Sequence, residues 1–465
     1  MATRRRPDDT RWGGARVALV AILVGAAALR IPGLEYGLPY GTLLDPDEQS
    51  IVPRAWKMVH GGGPDPHWFD YPTFVLYLFA PFQSWQDRPS FLAARIVVVL
   101  LAVAAVAASW WLGKRAYGAV AGAVAGVLVA VEVTHVFYSH VAVTDVPLTL
   151  GVALALGLMV AGRLEWAGLA AGLATGAKYP GVFLVVPLVV AAWGRWRRLA
   201  VAAALGAAAF LLTSPYVFVH PGQAAHEALR VQRLARKGWL GFEHDHVALI
   251  AFPARLWSGL GPALLVATVG VAVAVWRRSR ADLILVAFVA VYFVDLLTLR
   301  AHFDRYVLPL LPPLGALAGR LRPLAPVTLL LLVIPLTWSI SKDTRLTRTD
   351  TRIVAHGWIE RHVPEDAALA ADSSTAPLAN YHVVELALPG PGRPFDPNRN
   401  VSRLRREGVR YVVVTGAVAD RVLHARDRYP REARFYHDLR TRAKRLYYVT
   451  AGQGLAGPWV AVYRV

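Results

Sequence analysis

Long apolar runs, each closed by short basic punctuation, set the pattern of this chain. Runs near 15–32, 91–112, 118–138, 143–162, 198–216, 247–275, 281–299, 305–319 and 324–341 approach the roughly 20 residues that a helix rising about 1.5 Å per residue needs to cross a bilayer. Lys114, Arg115, Arg163, Arg195, Arg197, Arg198, Arg277, Arg278, Arg280, Arg320 and Arg322 fall at alternate ends of these runs, together with Arg4, Arg5 and Arg6. Basic residues stay on the cytoplasmic side, so those ends are expected to be cytoplasmic. The amino terminus has the look of a signal peptide, but the spans that follow make a retained anchor the better reading.

That alternation decides two further runs. Residues 74–85 are apolar but reach only about 18 Å as a helix, and a crossing there would put Lys114 and Arg115 outside; they are read as a helix lying at the outer surface. Residues 166–193 carry basic flanks at both ends, so one crossing would break the alternation. The proline at 180 disfavours helical geometry in the residue before it, and the run is read as two half-helices turning at Lys178-Tyr179-Pro180. The expected fold is a polytopic α-helical membrane protein with about 11 membrane segments, the broken hairpin included. Past a break near 341–351 the chain turns charged, with strand-like stretches at 410–415 and 459–464. The expected division is a membrane domain over 1–341 and a small extracytoplasmic α/β accessory domain over 342–465.

Composition narrows the class. With 55% hydrophobic and 17% charged residues and a mean hydropathy of +0.41, 465 residues do not make one soluble domain. The net charge of +19 does not point to nucleic acid, because the arginines punctuate apolar runs instead of forming a stripe. Absence of cysteine excludes disulfides and thiolate metal sites.

By this topology the outer face receives residues 33–91, 139–145, 217–246, 300–305 and the tail. The polar candidates gather there. Asp45, Asp47 and Glu48 follow the first span, and Asp70 opens Asp70-Tyr71-Pro72. Such carboxylates suit a general base beside a membrane-borne substrate, a divalent cation held by Glu48 and Asp70, or simple helix caps. Asp145, near Pro147, fits both a cap and a site. Lys178 inside a membrane segment is expensive and suits an anion; snorkelling is the bland alternative. Arg305 in Arg300-Ala301-His302-Phe303-Asp304-Arg305-Tyr306 stands on the side basic residues avoid, which suits phosphate or a local pair with Asp304. Arg230, Arg233, Arg236 and Lys237 recur at helical spacing and suit a surface helix at lipid headgroups. Glu132 with His135, and His244-Asp245-His246, are weaker metal candidates.

In order, the first-loop Asp47-Glu48, Asp70-Tyr71-Pro72, Tyr138-Ser139-His140-Val141-Ala142-Val143-Thr144-Asp145, the 172–179 hairpin, Thr213-Ser214-Pro215-Tyr216 and Arg305-Tyr306-Val307-Leu308-Pro309 resemble the GT-C glycosyltransferases, specifically the group of protein O-mannosyltransferases and lipid A aminoarabinose transferases. The resemblance covers about residues 15–341 and implies inverting transfer of a sugar from a polyprenyl-phosphate carrier to a lipid, glycan or protein acceptor at the outer face of the cytoplasmic membrane. It implies Asp47 as the catalytic aspartate with Glu48 as its acidic neighbour, Asp45 being an additional acid that competes for the role. It implies Asp45, Asp70, Tyr71, Asp145, Lys178, Tyr179, Arg305 and Tyr306 as donor or phosphate contacts. Relatives carry a lysine after the acid at position 70; here Tyr71-Pro72 stands instead, so Lys178 and Arg305 are expected to supply that charge. No cofactor is required by this reading beyond a candidate divalent cation. The rival classes are a transporter, which should show symmetric halves, and a membrane-anchored sensor or scaffold.

Overall fold

The structure, a computed structural model, describes residues 8–465; Arg4, Arg5 and Arg6, expected to mark a cytoplasmic end, lie outside the described residues. Three helices among those described are long and apolar enough to cross a membrane: Phe91–Tyr117, Trp196–Thr213 and the nearly continuous Arg322–Leu346. Shorter apolar helices, among them Ala119–Val131, Asp145–Val160 and Ala263–Arg277, pack with them around one apolar core that includes Val98, Leu128, Val152, Leu156 and Leu317. Local chemistry sets the ends. Ser90 accepts a hydrogen bond from the Ala93 amide to start Phe91–Tyr117, and Gly118 at φ 99° stops it.

Several expected spans are broken. Residues 247–275, read as one run, form Ala248–Leu260 and Ala263–Arg277. Gly261 at φ 57° takes the left-handed turn and Pro262 has no amide to continue the ladder. Residues 118–138 break at Glu132, which is extended and whose carboxylate accepts from the His135 amide at 2.6 Å to cap Val133–Tyr138. The run over 166–193 breaks at Lys178: the helix Leu164–Ala177 ends there in extended backbone, followed by the 3-10 turn Tyr179–Leu184 and the helix Val185–Ala191. At Gly181 a Cβ would stand 2.4 Å from the Thr175 amide nitrogen; only glycine lets the chain turn back this tightly on the helix it has just left. Leu164–Ala177 packs on Trp196–Thr213 through Gly168 and Gly172, where a Cβ would run into the carbonyls of Ala202 and Gly206. Small residues of this kind let helices approach closely without any aqueous driving force. The short helix Phe74–Phe79 continues in a 3-10 turn to Gln83.

From residue 368 the chain builds a five-stranded sheet: β1 (Ala368–Asp372), β2 (His382–Leu386), β3 (Tyr411–Thr415), β4 (Lys444–Val449) and β5 (Val460–Arg464). Their order is β2-β1-β3-β5-β4, parallel across β2-β1-β3 and antiparallel across β3-β5-β4. The stretches expected at 410–415 and 459–464 are the central neighbours β3 and β5, with Val413 opposite Val462. Helices Thr351–His362, Gly416–His424 and Pro430–Arg442 cover the sheet, and a buried Arg399 ties Asp372 (3.0 Å) to the Tyr436 hydroxyl (2.8 Å). This unit rests on one end of the helical bundle. Tyr40 packs on the His356 ring at 5.1 Å, Arg352 donates to the Leu43 carbonyl, and the Tyr429 hydroxyl donates to Glu243 at 2.6 Å.

Candidate active site

At that same end, five charged side chains from four segments converge. Asp45 precedes the helix Pro46–Lys57 and is its N-cap: Oδ1 accepts from the Asp47 amide at 2.9 Å. Its other oxygen, Oδ2, lies 2.8 Å from Nη1 of Arg305. Cap and ion pair therefore coexist in one residue. Asp47 sits two residues on, in the first turn; its Oδ2 accepts from the Tyr71 hydroxyl at 2.9 Å and lies 3.0 Å from Nη2 of Arg305. Arg305 thus grips two carboxylates with the two arms of its fork, the geometry that a lysine cannot supply.

The third carboxylate, Asp145, opens the helix Asp145–Val160. Its side chain does not cap: Oδ1 takes Lys178 Nζ at 2.6 Å. Oδ2 faces Arg305 Nε across 3.8 Å, too far for a hydrogen bond, and both atoms are buried without a partner. Lys178 lies in the break that ends Leu164–Ala177, so its extended backbone projects the ammonium toward the Tyr71 and Tyr306 rings, 5.6 and 5.2 Å from their centroids. By residue type the cluster brings together three acids and two bases.

Burial pushes the Asp45 carboxyl above the usual range, against the pull of Arg305, and Asp47 adds to the rise. Burial alone would lower the Arg305 guanidinium, but Asp47 and Asp45 drive it well above its ordinary value, so it stays charged. Burial and the Asp47 charge also raise the Tyr71 phenol, which keeps its proton and donates it to Asp47. A raised carboxyl would ordinarily mark Asp45 as the base, but reach comes before pKa. Both Asp45 oxygens are committed and its side chain is 7% exposed, whereas that of Asp47 is 23% exposed and its Oδ1 takes no hydrogen bond from the described residues.

Beside the cluster opens a cavity of about 590 Å³ whose wall includes Tyr71, Lys178, Phe183, Tyr292, Leu296 and Tyr306. The model of glycosyltransferase family 87 matches residues 68–299. The structure resembles ArnT of Cupriavidus metallidurans in the apo state, with a TM-score of 0.59 at 16% identity over 98% of each chain. It resembles the same protein bound to undecaprenyl phosphate, with a TM-score of 0.57 at 16% identity over 97% of this chain and 98% of that one. The Archaeoglobus fulgidus oligosaccharyltransferase in complex with Zn and sulfate gives a TM-score of 0.57 at 15% identity over 95% of this chain and 72% of the other. The fold is that of the GT-C glycosyltransferases. No curated protein matches the chain by sequence.

Within this GT-C fold, the remaining expectations divide. Glu48, expected beside Asp47 as a second catalytic acid, is fully buried and turned away: Arg95 holds both its oxygens at 2.9 and 2.7 Å, and the Ala142 amide donates to Oε1 at 2.7 Å. The helical turn that presents Asp47 to Arg305 points the next residue inward. Glu48 locks the first loop onto the bundle, its two oxygens engaged by three donors, so it is held by Arg95 and not set out beside Asp70 as the expected cation pair. Asp70 is instead paired with Arg230 of the helix Pro221–Lys237. Arg305 does not pair with Asp304 through its side chain; Asp304 accepts from the Tyr138 hydroxyl at 2.9 Å and from the Arg305 amide. Tyr179 donates to the Phe69 carbonyl at 3.0 Å and lines the cavity with Asp70. The weaker metal candidates are used otherwise: His135 Nδ1 meets Arg30 at 2.9 Å, and Asp245 pairs with Arg255 at 2.7 Å.

Arg95 was missed by sequence reasoning. Its signal was an arginine four residues into a span, expensive unless paired.

Arg305→Lys provides a test of the fork. A lysine keeps the charge but reaches one carboxylate at a time, so turnover is expected to fall about ten- to a hundredfold with little change in the thermal midpoint. Wild-type turnover in that variant would show that a point charge suffices.

Proposed function

We propose that this protein is an inverting glycosyltransferase that moves a sugar from a polyprenyl-phosphate carrier to an acceptor hydroxyl at the outer face of the cytoplasmic membrane. The observation that carries the reading is the convergence of a partly exposed carboxylate, Asp47, with two buried cations, Arg305 and Lys178, beside a cavity that Lys178, Tyr71 and Tyr306 line. A carboxylate alone fits many sites. A carboxylate beside two cations at an apolar-walled cavity fits a base, an anionic leaving group and an isoprenoid tail together. That a protein of similar fold has been seen with undecaprenyl phosphate supports this choice of carrier.

The chemistry is a single displacement. The acceptor oxygen forms its bond to the anomeric carbon from the face opposite the phosphate while Asp47 Oδ1 takes its proton. The bond from that carbon to the phosphate oxygen breaks, its electron pair stays on the oxygen, and polyprenyl phosphate leaves with inversion at carbon. Arg305 and Lys178 meet the charge that develops there; Lys178 turns from Asp145, and the unpartnered Nε of Arg305 is a donor already in place. Each such contact in a site shielded from water is worth roughly 3 kcal/mol in the transition state. Tyr71, through its hydroxyl, fixes the rotamer of Asp47.

The acceptor has its own approach. A second cavity, of about 870 Å³, lies between the bundle and the α/β unit, walled by Trp239, Phe242, Arg300, Arg393, Tyr429 and Arg431. Leu299 lines both cavities, and aromatic faces with arginines suit a polar glycan or headgroup. In this reading residues 1–341 form the membrane transferase, residues 342–465 the extracytoplasmic accessory domain that roofs the acceptor cavity, and the amino terminus is cytoplasmic, as the loop charges support.

The direct test is incubation of the purified protein with a panel of polyprenyl-phosphate sugars, with release of polyprenyl phosphate as the readout. One or more donors are expected to release carrier. Intact, folded protein that releases none from hexosyl or pentosyl donors, with acceptor lipids present, would overturn the assignment.

A further inference from the structure

Outside the catalytic cluster, one group of side chains among the described residues has the composition of a metal site. Asp65 and His67 lie in the loop that leads to Asp70, and His220 stands immediately before the helix Pro221–Lys237. His220 Nε2 is 2.8 Å and His67 Nδ1 3.4 Å from the same oxygen of Asp65, Oδ2. One ligand atom from each residue lies within 4.8 Å of the others.

Those separations match what a small divalent cation requires. With bonds of about 2.0–2.1 Å in tetrahedral arrangement, zinc ligands stand about 3.3 Å apart. The close Asp65–His220 contact needs to open slightly and the two rings, 5.5 Å apart between centroids, need to tilt inward. The Asp65 oxygen that is left over, Oδ1, accepts from the His67 amide at 2.9 Å, the His67 carbonyl accepts from Gln223 at 3.2 Å, and the His220 amide donates to the Tyr216 carbonyl at 2.9 Å. The Asp65 carboxylate is thus oriented by a partner that would not itself touch the ion, while the bonds at His67 and His220 hold the backbone from which the two rings project. His67 is 70% exposed on its side chain, which leaves the fourth position to water.

The donor set also selects among ions. Two imidazole nitrogens and one carboxylate oxygen suit zinc and its first-row neighbours; calcium and magnesium prefer shells made of oxygen.

We propose that Asp65, His67 and His220 bind a divalent transition-metal cation, zinc foremost, which clips the 65–73 loop to the start of the Pro221–Lys237 helix. The consequence runs along both strands of the clip. Four residues beyond Asp65 the Phe69 amide donates to Glu227 of that helix, Asp70 meets Arg230 on it, and Tyr71 then reaches Asp47. The ion would hold the first rung of this ladder and so steady the segment that carries Tyr71, without contacting reactants.

The experiment uses the full chain in detergent, stripped with a chelator and titrated with zinc chloride by calorimetry, with magnesium and calcium chloride as controls and the thermal midpoint as a second readout. One equivalent of zinc is expected, with a rise in midpoint, and no binding of the controls. His67→Ala and His220→Ala are each expected to weaken zinc binding at least about tenfold and to lose the zinc-dependent rise. The apo midpoint of His67→Ala should stay near that of the apo wild type, since the ring is exposed. No zinc binding by the wild type, or equal affinity in wild type and both variants, would overturn the proposal.

Discussion

Asp47→Asn is expected to reduce sugar transfer by about a thousandfold, within the range that a positioned general base contributes, while the protein still folds and inserts. The amide is isosteric and can still accept from Tyr71, so the local geometry at Oδ2 survives. What is lost is the ability to take a proton at Oδ1. Arg305 gives up one of its two close carboxylates but keeps Asp45 at 2.8 Å, which limits the structural cost. Asp45→Asn is the matched control: it keeps an amide-accepting cap and should cost far less in rate than Asp47→Asn. Transfer measured as carrier release, with the thermal midpoint as a check on folding, separates the two. If Asp47→Asn keeps full turnover, or if Asp45→Asn is the variant that loses it, the base has been misassigned.

Arg95→Leu carries the largest expected effect on stability. Arg95 is fully buried, holds both oxygens of Glu48, and donates to the carbonyls of Leu34 and Tyr36 at 2.7 and 2.8 Å. Removing it leaves a buried carboxylate with one amide donor, Ala142, and two carbonyls without partners. Breaking a buried pair from one side typically costs about 3–5 kcal/mol. The double variant Glu48→Leu, Arg95→Leu should recover part of this, because the stranded charge is gone even though the carbonyls remain unpaired. Thermal unfolding of the purified variants reads both effects. A midpoint for Arg95→Leu within about 1 °C of wild type would show that the pair does not hold the first loop to the bundle.

Those two variants also mark the boundary between what was legible along the chain and what was not. Asp47 and Glu48 are adjacent acids in the same loop, and nothing in their sequence context distinguishes them. Their fates differ because a helical turn points one toward Arg305 and the other toward Arg95. Likewise, Asp45 and Arg305 are separated by 260 residues, and Asp65 and His220 by 155. Pairings at such distances leave no trace in local spacing. The break at Gly261-Pro262, by contrast, shows along the chain as a dipeptide inside an apolar run, although the run is long enough to read as one span.

The one-dimensional pattern was informative where the physics is one-dimensional. Bilayer thickness demands apolar runs of a given length, loop charge reports side, and proline and glycine interrupt ladders wherever they stand. From these came the helical bundle, the interruption at Lys178 and the roll of charged residues at one end, while alternating strand-like stretches gave the α/β character of the tail. Choosing among those residues needed the fold. Whether a carboxylate is a cap, a lock or an accessible base depends on which cation reaches which of its oxygens and how much water is left beside it. That is fixed when distant helices pack.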